Sequence, residues 1–199
     1  DWVREATAVV SSLAISGNFL FGSKNKGRFD STQVHNVDKD QSGWNNLCEQ
    51  LKVSNITSFT ASDTGMGPVA LRTLATSLPA ALNLLTVTST GDKYDPQTYT
   101  LTGGEEKIEL SNKKLGPADI QLLSAWLATR AAAALTSINC LRNPIGDDGL
   151  ATLVAAVKDS SVRSICGLVE GQTFADFSKQ NLKPFDCKII AAEFGFRGF

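Results

Sequence analysis

The chain has 199 residues, of which 42% are hydrophobic and 20% are charged, and its formal net charge at pH 7 is −1. This balance gives no general attraction to nucleic acid or to an anionic membrane surface, and the length is sufficient for one domain with a substantial core. No apolar run approaches the roughly 18 residues of a membrane-spanning helix, so we expect a soluble chain that binds neither nucleic acid nor a membrane.

The cysteines and the single histidine give no sign of a metal site or a disulfide framework. Cys48, Cys140, Cys166 and Cys187 include no C-x-x-C pair, and His35 is the only histidine. Cys140 and Cys187 occupy positions where an aliphatic core residue is expected, as a buried thiol readily does. We therefore predict reduced structural thiols, with no metal and no other cofactor.

The first residues give an expectation about location. Residues 1–5 have neither the basic start nor the apolar core of a signal peptide, which favours a cytoplasmic protein. Asn55 begins an N-x-T glycosylation sequence, so secretion is the alternative if the chain is a processed fragment.

Short strands and amphipathic helices alternate along the chain. Residues 1–12 carry apolar side chains at helical spacing and predict an N-terminal capping helix. Two strands lead into polar segments without a helix, at 22–33 and 91–104. The other predicted elements are strands at 13–20, 34–37, 56–61, 82–87, 108–110, 135–140, 162–167 and 175–177 and helices at 42–51, 68–78, 117–127, 147–157 and 184–199.

Residues 135–157 form the most regular unit. Ile138, Cys140 and Asn143 belong to a strand and turn with the pattern L-x-x-L-x-L-x-x-N-x-L-G, and an amphipathic helix follows from Asp147. This pattern resembles leucine-rich repeats of the ribonuclease-inhibitor type.

An internal match supports the repeat. Leu110, Leu115, Pro117, Asp119, Ile120, Leu123 and Leu127 correspond without a gap to Phe177, Leu182, Pro184, Asp186, Cys187, Ile190 and Phe194. A proline and an aspartate at the same offset are difficult to obtain by chance. The helix-free strands starting at Leu13, Leu85 and Ile165 recur as well, so the larger unit is predicted to contain three strands and two helices.

Such units bury their apolar faces only by stacking on one another. We therefore predict an α/β leucine-rich repeat solenoid across 1–199 as a single domain, with a curved parallel concave sheet, outer helices and some helix-free repeats. The C-terminal helix and aromatic residues at 184–199 are predicted to cap the last repeat, or to await a partner. Asn143 and its counterparts are expected to hydrogen-bond loop backbone in the next unit, with an interruption at Lys113.

The resemblance implies a non-catalytic scaffold for protein binding, because this fold supports many unrelated interactions. It predicts a protein partner and no enzymatic activity, and it leaves the oligomeric state open. An alternative is a GTPase-activating regulator resembling Ran GTPase-activating proteins, in which an early loop supplies an arginine; Arg28 is the residue in a comparable place. A secreted adhesive or recognition protein is a further alternative.

Two surfaces are predicted to bind the partner. The first consists of side chains pointing to the concave face of the sheet, a small and hydroxyl-rich surface: Thr60, Ser62, Thr86, Thr88, Glu109, Ser111, Asn139, Leu141, Asp176 and Ser178. The second consists of charged and aromatic residues in the helix-free loops: Lys24, Lys26, Arg28, Tyr94 and Tyr99. No catalytic motif accompanies His35, and the glycine pairs do not continue into phosphate-binding loops.

Overall fold

The computed structural model describes residues 10–22, 24–26 and 30–197, with the backbone alone for 24–26, 30–35 and 197. Most of the capping helix predicted at 1–12 therefore lies outside the described residues. Within them, Ser12 belongs to a strand.

The described chain is a mixed α/β structure with eight strands and five α-helices. The strands are β1 (Ser12–Ala14), β2 (Lys24–Lys26), β3 (Asp30–His35), β4 (Ser58–Ala61), β5 (Leu84–Thr88), β6 (Thr98–Thr102), β7 (Lys107–Glu109) and β8 (Ser137–Asn139). The helices are α1 (Ser42–Lys52), α2 (Pro68–Ala75), α3 (Pro117–Leu127), α4 (Gly146–Lys158) and α5 (Pro184–Arg197), with a short 3-10 helix at Arg130–Ala132.

The largest sheet has the order β1-β4-β5-β6. The first three strands are parallel, but β6 runs antiparallel to β5, so the prediction of a wholly parallel sheet is wrong at this edge. Residues 89–97, which join β5 to β6, are fewer than the dozen or more that a parallel crossover needs. Tyr99 and Leu101 point into the core between exposed threonines, so the segment predicted as a loop at 91–104 contributes a strand.

The strand predicted at 34–37 was expected to belong to the parallel sheet, but it lies outside that sheet. β3 ends at His35 and pairs antiparallel with β2 in a separate two-stranded sheet. β1 pairs directly with β4, so no strand of this region lies between them. Since β2 and β3 pair with each other, the basic loop predicted at 22–33 is partly strand.

The last part of the chain has little sheet structure. β7 and β8 form a parallel pair, and the strand predicted at 162–167 reduces to isolated bridges at Ser164 and Cys166. Residues 172–177 are neither strand nor helix, so the strand predicted at 175–177 is wrong. The Glu193 carboxylate accepts the backbone N–H groups of Ile165 and Cys166, at 3.0 and 2.7 Å. These two donors are therefore bonded to a side chain in place of a neighbouring strand.

Each helix packs against the next one along the chain, from α1 to α5. The middle helix, α3, is the most enclosed, with Ile120, Leu123 and Trp126 fully buried against its two neighbours. Proline occupies the first position of α2, α3 and α5, where its missing N–H costs no helical hydrogen bond. The apolar spacing and these prolines correctly predicted where the helices begin.

A turn of unusual backbone geometry precedes four of the helices. Two residues with positive φ, separated by one residue, occur as the pairs Asn36 and Asp38, Asp63 and Gly65, Asn112 and Lys114, and Lys179 and Asn181. In the last three cases the helix begins five residues after the first member of the pair. Lysine has no local preference for this conformation. The surrounding fold therefore imposes it at Lys114 and Lys179.

Candidate functional site

The predicted hydroxyl-rich surface exists and is wider than expected. Thr60, Thr86 and Thr100 are neighbours across β4, β5 and β6, and the hydroxyls of Thr86 and Thr100 lie 2.9 Å apart. Ser62 donates to the Ser16 hydroxyl at 3.0 Å, and Thr88 accepts the Asp63 N–H at 2.9 Å. We call this surface the hydroxyl face: Ser12, Ser16, Ser58, Thr60, Ser62, Thr86, Thr88, Thr98, Thr100 and Thr102.

Thr98 and Thr100 were missed because their segment was assigned to a loop. Their signal was the alternation of polar residues with Tyr99 and Leu101, which places threonine on one side of the strand and apolar residues on the other.

The predicted site residues farther along the chain do not continue this face. Glu109 and Asn139 are neighbours on β7 and β8, and the Asn139 amide donates to Glu109 Oε2 at 3.2 Å. Ser111 is half-buried, and its N–H donates to Glu109 Oε1. Leu141 is buried, so its predicted exposure on the face is wrong. The alternation fails there because β8 ends at Asn139 and Arg142 takes a left-handed conformation.

Asp176 and Ser178 are both exposed, but they belong to no strand. The Ser178 N–H donates to Asp176 Oδ1 at 2.8 Å, and hydrogen bonding by the Ser178 hydroxyl and by this N–H lowers the pKa of Asp176. The two residues therefore form a local turn, separate from the hydroxyl face.

The predicted loop residues are dispersed. Lys24 and Lys26 lie in β2, of which the structure describes only the backbone, and Arg28 lies outside the described residues. Tyr94 is exposed, with the Lys93 ammonium 4.7 Å from its ring centroid. Tyr99 is buried in the core, so its prediction as an exposed binding residue is wrong.

Tyr99 instead takes part in a buried polar cluster around Asp119. Its hydroxyl donates to Asp119 Oδ1 at 3.0 Å, while Oδ2 accepts the N–H and the hydroxyl of Thr90 and the N–H of Gly116. Burial raises the pKa of Asp119, and the hydrogen bonds act in the opposite direction. Burial and the nearby carboxylate raise the pKa of Tyr99. Every Asp119 contact is internal, which indicates a structural role.

Asn143 hydrogen-bonds loop backbone of another unit, as predicted, but that unit is the preceding one and not the next one. Its side-chain oxygen accepts the Leu115 N–H at 3.0 Å, and its amide donates to the Leu110 carbonyl at 2.7 Å. One buried side chain therefore joins its own turn to the preceding one.

A mainly apolar cavity of about 270 Å³ opens where β4 and β5 end. Its wall includes Val37, Met66, Pro68 and Pro96, with Thr88 beside them. Ligands of open α/β sheets commonly bind at the carboxyl ends of the strands. Sequence reading missed this cavity because its residues come from three separate turns.

A larger and more polar cavity, of about 510 Å³, lies among the turns that precede α3, α4 and α5. It is lined by the basic residues Lys114, Arg142 and Lys183 and by Asp92, which also borders the first cavity. We call it the basic cavity. None of these basic residues was predicted as a site residue, since they are far apart in the sequence.

The buried thiols are poorly suited to catalysis. Burial raises the pKa of Cys48 and of Cys140 to about 12, and raises that of Cys166 with a further contribution from Glu193. A nucleophilic cysteine needs the opposite shift. The described residues contain no group of three or more His, Cys, Asp or Glu side chains placed to hold a metal ion.

Comparison of the chain with protein-family models and with curated proteins finds no match. Among the described residues, no helix has the length and apolar character needed to cross a membrane.

Proposed function

We propose that the chain is a non-catalytic protein-interaction module made of stacked strand-turn-helix units, a leucine-rich repeat solenoid of the ribonuclease-inhibitor type. The recurring pairs of left-handed residues before α2, α3 and α5 support this architecture, as does the packing of each helix on the next. In this proposal the antiparallel strand pairs β2–β3 and β5–β6 replace the helices of two units.

The apolar cavity beside the hydroxyl face is the observation that carries the proposed activity. Val37 is 41% exposed at its wall, and Met66 and Pro68 line it from the turn before α2. A concave apolar site of this size accepts one large side chain of a partner. The hydroxyl face next to it offers donors and acceptors for the partner's polar groups.

Selection from a random peptide library tests this proposal. We expect enriched peptides with an apolar anchor residue, and we expect Val37→Asp to weaken their binding about tenfold or more by placing a charge at the apolar wall. Val53→Asp is the matched control, because Val53 is exposed at the end of α1 and does not line the cavity. Failure to enrich any peptide, or equal loss in both variants, contradicts the proposal.

The proposal places the protein in the cytoplasm, where its four free thiols stay reduced. The GTPase-activating alternative depends on Arg28, and no observation of the described residues favours it. Asn55 is exposed, so the secreted alternative is tested by looking for a glycan at this residue.

A further inference from the structure

The basic cavity brings together cations from three successive turns. Lys114 follows β7, Arg142 follows β8, and Lys183 precedes α5. Its volume of about 510 Å³ is within the range of small-molecule sites. Because the turns recur along the chain, residues far apart in sequence line one space.

Two carboxylates also belong to the lining, Asp92 and Asp186, so three cations and two anions leave it a formal net charge of +1. Asp186 is buried and accepts the backbone N–H groups of Arg142 and Lys183. Asp92 accepts the N–H groups of Tyr94 and Asp95, and these hydrogen bonds together with the nearby charge of Lys114 lower its pKa. Both carboxylates are therefore bonded to backbone.

One of the three cations has a carboxylate partner, which lies outside the cavity lining. Lys114 pairs with Asp95 at 3.5 Å, and Asp95 is largely exposed. Across the residues whose side chains are described, Arg142 and Lys183 form no ion pair. Arg142 is half-buried as a residue, and no described carboxylate lies within ion-pairing distance of its guanidinium.

The remaining lining suits the rest of a ligand. Asn112 and Asn181 are exposed left-handed residues whose side-chain amides provide hydrogen-bond donors. Phe185 and Pro144 provide apolar surface. A cavity lined by one arginine and two lysines matches a dianionic phosphate better than a single carboxylate, because phosphate presents three acceptor oxygens.

We propose that the basic cavity binds a phosphate monoester, with Arg142 and Lys183 holding the phosphate group and Lys114 at its margin. This site adjoins the apolar cavity proposed to take a partner side chain, and Asp92 lies on the border of both. The monoester belongs either to a small molecule or to a phosphorylated side chain, and both present the same group to the cavity.

Calorimetric titration at low ionic strength tests the assignment with two probes, phenyl phosphate and a short phosphoserine peptide. We expect at least one of them to bind, and added salt to weaken its binding. Stronger binding of phenyl phosphate identifies a small-molecule site, and stronger binding of the peptide identifies a phosphoprotein site. No binding of either probe at millimolar concentration overturns the proposal.

Variants show whether binding occurs in this cavity. Arg142→Gln is expected to reduce affinity about tenfold and Lys183→Gln somewhat less. Both keep the backbone N–H that Asp186 accepts, so the fold is expected to survive, and circular dichroism checks this. Arg130→Gln is the control, because Arg130 is exposed on the short 3-10 helix outside the cavity. Binding that both cavity variants leave unchanged overturns the proposal.

Discussion

Asp119 in α3 and Asp186 in α5 hold the same place in two units of the chain. Each lies two residues after the proline that begins its helix, and each is buried. Each carboxylate accepts a backbone N–H from an earlier turn, that of Thr90 for Asp119 and that of Arg142 for Asp186. The same aspartate therefore joins neighbouring units at two points.

Replacing Asp119 by alanine is expected to lower the free energy of unfolding by about 3 to 5 kcal/mol, because four donors lose their acceptor inside the protein. Asp119→Asn keeps one acceptor oxygen and is expected to cost less, about 1 to 2 kcal/mol. Urea denaturation measures both changes. Asp159→Ala, at an exposed position after α4, is the control with little expected effect. Equal stability of the alanine variant and the wild type contradicts this role.

The raised pKa of Asp119 gives the stability a predictable pH dependence. The carboxyl group ionises near pH 3.9 in the unfolded chain and at a higher pH in the folded protein. Between these two values the folded state binds more protons, so its stability falls as pH rises and levels off above the folded pKa. Denaturation across this window is expected to show a shrinking stability advantage of the wild type over Asp119→Asn. A growing advantage indicates that the hydrogen bonds prevail and that the pKa is lowered.

The two aspartates show which parts of the structure could be predicted from the sequence. The shared offset of proline and aspartate correctly marked two equivalent helix starts, because proline at the first helical position is a local signal. The hydrogen-bond partners Thr90 and Arg142 were not predictable, since they depend on which turn lies beside each helix. The direction of β6 was missed for a similar reason: alternation around Tyr99 indicates a strand but does not determine its partner.

The residues of the candidate sites were likewise predicted only in part. The side chains of β4 and β5 were placed correctly on the hydroxyl face, because alternation along a strand determines the side on which a residue lies. Leu141 was misplaced because the strand ended two residues earlier. The basic cavity was missed because Lys114, Arg142 and Lys183 come from three turns, and no local pattern connects them.

Close backbone contact between Gly91 and the start of α3 makes Gly91 intolerant of a side chain. A Cβ at this position would lie 2.5 Å from the Lys114 carbonyl oxygen and 2.7 Å from the Gly116 nitrogen. Gly91→Ala is expected to destabilise the protein by about 2 to 3 kcal/mol, because backbone must move. Gly43→Ala in α1 meets no atom within 4 Å and is expected to stabilise by up to about 1 kcal/mol, because alanine favours the helix. Thermal denaturation of the two variants checks this, and a neutral Gly91→Ala contradicts the contact.

The four cysteines are expected to differ in reactivity. Cys187 is exposed, whereas Cys48, Cys140 and Cys166 are buried with raised pKa values. A thiol with a pKa of about 12 has only about one part in 10,000 as thiolate at pH 8, so iodoacetamide is expected to label Cys187 alone in the native protein. Peptide mass spectrometry identifies the labelled residue. Cys187→Ser is expected to remain unlabelled until denaturant exposes the other three thiols, and labelling of the native variant contradicts the burial.

Thiol labelling also tests whether the hydrogen bonds of Glu193 keep the segment 164–166 in place. Its carboxylate accepts the N–H groups of Ile165 and Cys166 and the hydroxyl of Ser164. Glu193→Ala leaves these donors without that acceptor, so the segment is expected to open locally and expose Cys166 to iodoacetamide, while Cys48 stays protected in the core. Glu193→Gln keeps one acceptor oxygen and is expected to show slower labelling than the alanine variant. Equal labelling of Cys48 and Cys166 in Glu193→Ala indicates global unfolding and contradicts a local role for this carboxylate.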